Sequence, residues 1–229
     1  MSNLPSNVHV SRHPCLLAKL SQLRSQSTPA REVKTLIHDI SLIVGCEALA
    51  QGLETVPGPT DQTPLGFDYQ THQINPGTIS LVPILRSGLG MVEAIQTLLP
   101  NPVPVHHLGL FREPTTLSPV EYYNNLPYHV SESGSGNSNA PQLAIILDPV
   151  IATGGTCAAA IQTLREWGTR RIIVVSVLGA EPGVRAAAAE WPDAVEVWLA
   201  GLDDELTERG MIKPGLGDVG DRLFMTIGK

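Results

Sequence analysis

The sequence predicts an α/β fold, a mostly parallel sheet flanked by helices. Three observations predict it. From Ile79 to Leu199, short apolar runs alternate with segments of helical spacing, the order that builds parallel strands joined by crossover helices. One apolar run, Ile145-Ile146-Leu147, ends in Asp148 and continues as Pro149-Val150-Ile151-Ala152-Thr153-Gly154-Gly155-Thr156. A second, Val82-Pro83-Ile84-Leu85, ends in Arg86-Ser87-Gly88. Charged, glycine-rich strand ends are where open α/β sheets hold their ligands.

The elements follow in order. Residues 15–50 read as two helices. Leu16, Leu17, Leu20 and Leu23 give the first its spacing, and Val33, Leu36, Ile37, Ile40, Ile43 and Val44 give the second an apolar stripe. Thr28 is placed to cap the second helix with Pro29 at its first position. The stretch 53–66, rich in Pro, Gly and Thr, reads as a loop leading to a hairpin around Asn75-Pro76-Gly77. Strands are expected at Ile79–Leu85, Val103–Leu110, Leu143–Leu147, Arg171–Leu178 and Val195–Leu199, and helices at Gly88–Leu99, Gly155–Trp167 and Pro182–Glu190. Residues 111–141 read as a long polar connection: a lid from Phe111 to Tyr128 and a low-complexity neighbour from Ser131 to Asn139. The tail, Gly201 to Lys229, reads as glycine-rich and irregular.

Composition narrows the function. The 229 residues are 42% hydrophobic and 16% charged, which suits one globular domain. The formal charge of −7 and the 4% aromatic content argue against nucleic acid as a partner. Cys15, Cys46 and Cys157 are odd in number and share no metal spacing. With no apolar signal core and no membrane-length run, a soluble, cytoplasmic protein without membrane partners is expected.

The loop from Asp148 to Thr156 is suited to phosphate. Glycines let the backbone approach an anion, and the N–H groups opening the following helix point toward it. The two threonine hydroxyls add donors. The loop lacks the Gly-Lys-Ser/Thr ending of a Walker motif and is not G-x-G-x-x-G. Arg86, and Arg112 at the end of Gly109-Leu110-Phe111-Arg112, add guanidinium groups that bind phosphate oxygens in pairs. The tail Gly210-Met211-Ile212-Lys213-Pro214-Gly215-Leu216-Gly217-Asp218-Val219-Gly220-Asp221-Arg222 is dense enough in glycine for its backbone to read a planar ring. Other residues read more simply. His106 and His107 have no acid or cysteine at metal spacing, Cys157 fills the core, and Asp203, Asp204 and Glu205 form a surface acidic run.

Taken together, Pro83-Ile84-Leu85-Arg86-Ser87-Gly88-Leu89-Gly90-Met91, Asp148 to Thr156, and Pro214-Gly215-Leu216-Gly217-Asp218 resemble the uracil phosphoribosyltransferase family of type I phosphoribosyltransferases. The segment from Thr116 to Tyr123 resembles the family's flexible arm. The resemblance implies one phosphoribosyltransferase domain over residues 1–229, with a helical N-terminal segment (11–50), a flexible β-arm (111–141) and a C-terminal hood (200–229). It implies conversion of uracil and 5-phosphoribosyl 1-diphosphate to UMP and diphosphate, with Mg²⁺ carried mainly by the diphosphate rather than by a protein metal site. Asp148 would accept hydrogen bonds from the ribose hydroxyls. Pro149, Val150, Ile151, Ala152, Thr153, Gly154, Gly155 and Thr156 would complete the phosphoribosyl site. Arg86, Arg112 and Asp218 would face the diphosphate. Ile212, Gly217, Asp218 and Val219 would surround uracil. A homodimer or higher oligomer and a GTP effector are also implied. Two positions depart from the family's usual pattern: Met211 stands where a tyrosine is usual, and Val219 where a smaller residue is usual.

Overall fold

Continuous apolar runs become strands buried on both faces, and here they are the centre of one sheet. The computed structural model describes residues 4–113, 119–127 and 140–226. The chain opens with β1 (Val8–Val10), α1 (Pro14–Arg24) and α2 (Ala30–Gly52), then β2 (Glu54–Gln62) and β3 (Asp68–Asn75). The alternating region follows: β4 (Ile79–Leu85), α3 (Leu89–Leu98), β5 (Leu108–Arg112), β6 (Pro119–Asn124), β7 (Leu143–Leu147), β8 (Val150–Ile151), α4 (Gly155–Glu166), β9 (Arg171–Ala180), α5 (Glu181–Ala189) and β10 (Val195–Asp203). β11 (Glu205–Leu206), β12 (Ile212–Lys213) and α6 (Val219–Phe224) close it.

The main sheet has the order β1-β10-β9-β7-β4-β5-β6, with β8 also on β9. Every pairing in it is parallel except β5 with β6. Strand period 2 sorts β7 between two cores. Leu143, Ile145 and Leu147 pack with Leu16, Ile37 and Met91 of α1, α2 and α3. Ala144 and Ile146 pack on the opposite face with Ile161 of α4 and Val184 of α5. Burial on both faces is what a parallel strand's unbroken apolar run encodes.

Five expectations need correction. The hairpin lies upstream of Asn75-Pro76-Gly77: β2 and β3 pair antiparallel, and the turn at Thr63–Phe67 is closed by bonds from Thr63 N to Phe67 O (2.9 Å) and from Gly66 N to Thr63 O (2.8 Å). Thr28 does not cap α2; its hydroxyl donates to Gln22 O at 2.7 Å instead. The expected strand at Val103–Leu110 begins only at Leu108, with Val105 making an isolated bridge to Leu81. The connection read from its residues as polar and without strands contains β6, held by backbone pairing to β5, as the β-arm resemblance implies. The tail is not irregular, since β10 runs on to Asp203 and β11, β12 and α6 follow it. The segment Ser131–Asn139, and Thr116 to Ser118 of the arm, lie outside the described residues.

Candidate active site

Neighbouring strands β4 and β7 send their following helices to opposite faces. α3 packs in the core of α1 and α2, and α4 in the core of α5. The loops therefore part at the carboxyl edge and leave a crevice, the topological switch point of an open α/β sheet. Gly88 ties the first loop to the neighbouring strand end. A Cβ there would lie 2.3 Å from Leu147 O and 2.7 Å from Ile84 N, so no larger residue fits without moving backbone. The peptide bond between Leu85 and Arg86 is cis.

The second loop is anchored from several sides. Pro149 O accepts from Val177 N (3.1 Å) and Leu178 N (3.0 Å) on β9. Gly154 adopts φ +83°, and a Cβ on it would stand 2.2 Å from Gly183 O. Conversely, a Cβ on Gly183 would stand 2.0 Å from Ala152 O. Gly183, in the first turn of α5, thus shapes the loop by having no side chain. Sequence reasoning missed it, and the Pro182-Gly183 pair was its only local trace. No side chain caps the start of α4, which leaves first-turn N–H donors for a ligand.

Asp148 sits beneath this loop, 7% exposed. Its N–H donates to Val175 O at 3.2 Å, and its Oδ1 accepts from Val150 N at 3.4 Å. Burial pushes the carboxyl up to about 7, with the Val150 N–H opposing the shift. Burial and then the Asp148 charge hold the Cys157 thiol well above its usual range. Cys157 is accordingly a buried, unreactive group, as its packing role requires.

Arg86 does not line the cavity; Ser87 does. The Arg86 guanidinium donates to Asp221 Oδ1 (3.2 Å) and Thr226 Oγ1 (3.1 Å), and the Thr226 hydroxyl donates to the same Asp221 oxygen at 2.6 Å. The side chain is half exposed, and neither partner was foreseen. Arg112 ends β5, with its backbone opposite Pro119, and its side chain lies outside the described residues. Asp218 caps α6 by accepting from Asp221 N at 2.9 Å.

The crevice closes into a cavity of roughly 380 Å³. One wall is Asp148, Val150, Ile151, Ala152, Thr153, Gly154 and Thr156. The other is Met211, Ile212, Pro214, Leu216, Gly217, Asp218, Val219 and Gly220. The two walls are the strand-end loop and the glycine-rich tail. Of the predicted loop residues, Pro149 and Gly155 do not line the cavity, and Pro149 anchors the loop through its carbonyl.

The tail's outer side corrects the surface reading of Asp203, which is buried. Arg24 at the end of α1 forks onto it, Nη1 to Oδ2 at 2.8 Å and Nη2 to Oδ1 at 2.6 Å. Asp203 Oδ2 also accepts from Gly215 N (3.0 Å), and Arg24 Nη1 donates to Gly215 O (2.7 Å). Arg222 Nη1 donates to Leu216 O (2.7 Å) and to Leu23 O (2.6 Å). His106 stacks edge-on against Trp167, and burial lowers its pKa. Among the described residues, no group of three or more His, Cys, Asp or Glu side chains is arranged to hold a metal ion. None of their helices is long and apolar enough to cross a membrane.

Comparison with known proteins agrees with this architecture. A family profile described as "Uracil phosphoribosyltransferase" matches residues 10–226. The chain is 43% identical to a uracil phosphoribosyltransferase from Roseiflexus castenholzii, covering 96% of this chain and 98% of that protein. It is 39% identical to one from Halalkalibacterium halodurans, over 96% and 99% respectively. A solved structure of a protein from Aquifex aeolicus superposes with a TM-score of 0.82 at 29% identity, covering 96% of this chain and 98% of that one.

Proposed function

The chain belongs to the uracil phosphoribosyltransferase family, and from that premise we infer how its cavity carries out the reaction. The enzyme joins uracil to the phosphoribosyl group of 5-phosphoribosyl 1-diphosphate, giving UMP and diphosphate in pyrimidine salvage. One observation carries the assignment of roles. A phosphate-cradling loop above a buried acid faces a glycine-rich backbone wall across a single cavity.

On the loop wall, N–H groups from Ala152 to Thr156 and the hydroxyls of Thr153 and Thr156 hold the 5-phosphate, at the uncapped start of α4. Asp148 accepts the ribose hydroxyls. Those donors favour the charged form, so binding draws its raised pKa down. On the tail wall, Ile212 and the backbone of Gly217 to Val219 surround the pyrimidine. Arg86 and Arg112 receive the diphosphate, and for Arg86 this means exchanging Asp221 and Thr226 for phosphate oxygens.

As the C1–oxygen bond to diphosphate breaks with its electron pair, the C1–N1 bond to uracil forms, and the N1 proton passes to the departing diphosphate. Among the described residues, the ionisable side chains along the cavity are Asp148, Cys157 and Asp218. Cys157 is held neutral, and Asp148 belongs to the ribose. Alignment of N1 with C1 and stabilisation of the leaving diphosphate therefore supply most of the rate. The acids fit a hard cation that arrives with its substrate: Asp218 offers one carboxylate at the cavity edge, too few for a protein cage. Mg²⁺ would offset diphosphate charge, and Asp218 would be the residue that shares in holding it.

The same reading takes residues 1–229 as one domain, the enzyme as cytoplasmic, its assembly as a homodimer or larger, and GTP as an effector. Steady-state turnover of uracil, hypoxanthine, guanine and orotate with 5-phosphoribosyl 1-diphosphate and Mg²⁺, with and without GTP, tests it. Uracil alone is expected to react. Purine or orotate turnover without uracil turnover would overturn the assignment. Sedimentation tests the assembly.

A further inference from the structure

Helix α1 and the end of β10 have no place in the cavity, yet they reach the wall that reads the base. Arg24 closes α1, and Asp203 closes β10. The guanidinium fork and the carboxylate meet at 2.6 and 2.8 Å, and together they take both backbone polar groups of a single residue, Gly215. Asp203 accepts the Gly215 N–H at 3.0 Å, and Arg24 donates to the Gly215 carbonyl at 2.7 Å. Asp203 is 8% exposed and Arg24 one quarter exposed, so the pair is shielded where charge-assisted bonds are strong.

Gly215 is the hinge of the wall. Its φ is +67°, and a Cβ on it would lie 2.2 Å from Ile212 O. Arg222 takes the next carbonyl, that of Leu216. Arg24, Gly215 and Arg222 line the outer hollow behind the tail, Leu216 and Gly217 line both that hollow and the cavity, and Asp218 and Val219 line the cavity alone. Two guanidinium groups thus bind the outward carbonyls of residues 215 and 216, which fixes the direction of the following backbone.

We propose that Arg24 and Asp203 are positioning residues for pyrimidine recognition, clamping Gly215 so that the backbone from Leu216 to Val219 meets the base in one orientation. The proposal rests on the uracil reading of the cavity. The clamp acts on the base wall and not on the phosphate loop, so its loss separates the two substrates. Arg24→Ala should raise the KM for uracil roughly 10- to 100-fold, the scale of a lost charge-assisted bond network. The KM for 5-phosphoribosyl 1-diphosphate should stay within about twofold of wild type. Arg24→Lys, which keeps the charge without the fork, should fall between.

The companion measurement is hydrogen exchange of the Leu216 to Val219 amides in substrate-free protein. Exchange should accelerate in Arg24→Ala while the amides of β7 and β9 keep their protection, which also shows that the variant folds. An unchanged uracil KM, a parallel rise in both KM values, or unchanged exchange at Leu216 to Val219 overturns the proposal. Absence of uracil turnover in wild type would instead defeat the functional reading, since exchange reports on the clamp without substrate.

Discussion

Replacing Asp148 by asparagine should make the protein more stable and the enzyme worse, and the stability gain should grow with pH. The carboxyl is 7% exposed, and burial moves it from an ordinary 3.8 to about 7. The folded state therefore holds this proton at pH values where the unfolded chain has released it. Its contribution to stability falls as pH rises from about 4 to above 7. At about 1.36 kcal/mol per unit, the ionised group costs the fold about 4 kcal/mol once pH is well above 7. At pH 5 the folded carboxyl is mostly neutral, and the cost is about 2 kcal/mol. Asparagine is neutral throughout and keeps an Oδ1 for the Val150 N–H, the bond Asp148 now accepts at 3.4 Å.

Denaturant unfolding of both proteins at pH 5 and pH 8 is the assay. The advantage of Asp148→Asn should widen by about 2–3 kcal/mol between the two. In the same variant, kcat/KM for 5-phosphoribosyl 1-diphosphate should fall roughly 10- to 100-fold, because the ribose hydroxyls lose a charged acceptor. A stability gap equal at both pH values would refute the argument that the buried charge is the source of the cost. Full activity in the variant would refute the ribose role.

Other substitutions probe the remaining parts of the site. Gly183→Ala places a Cβ 2.0 Å from Ala152 O. It should cost about 1–3 kcal/mol and raise the KM for 5-phosphoribosyl 1-diphosphate more than the KM for uracil; equal KM values for variant and wild type would show that the loop tolerates the shift. Arg86→Lys keeps a charge but loses the fork, so kcat/KM for 5-phosphoribosyl 1-diphosphate should drop about tenfold or more, and wild-type kinetics would remove Arg86 from the diphosphate site. Met211 lines the cavity and is 40% exposed. Met211→Tyr should lower the KM for uracil by offering a rigid ring in place of a flexible chain, an idea that fails if the KM is unchanged.

What the chain revealed in sequence tracks what its side chains bury. β4, β7 and β9 were legible because nearly all their residues are buried, and α2 because its stripe faces one core. The hairpin of β2 and β3 was misplaced because most of its residues are exposed. β6 is exposed along its whole length. Such strands are held by backbone pairing, which leaves no side-chain period to read. The loop wall was legible because its residues are contiguous in sequence. Its outer supports were not, because they come from elsewhere. Gly183 acts through a backbone oxygen of another element, and Asp203, set beside two other acids, finds its arginine 179 residues away.

The two walls of the cavity are consequently fixed by different physics. The loop side is fixed by exclusion: Gly88, Gly154 and Gly183 each bring backbone within a distance that no Cβ permits. Contacts of that kind carry no charge and are unaffected by salt. The tail side is fixed by attraction, with Arg24 and Arg222 gripping carbonyls of the tail and Asp203 an amide. Arg86 bridges the walls, since it rises from the β4 loop and pairs with Asp221 of α6. This pair is half exposed, so it is worth about 0–1 kcal/mol. On the reading proposed above, an incoming diphosphate, doubly bonded by the same guanidinium, would outcompete so weak a pair. Binding there would release α6 from Arg86 while Arg24 and Asp203 still hold Gly215, so on that reading the end of the tail adjusts while the backbone at Leu216 keeps its direction.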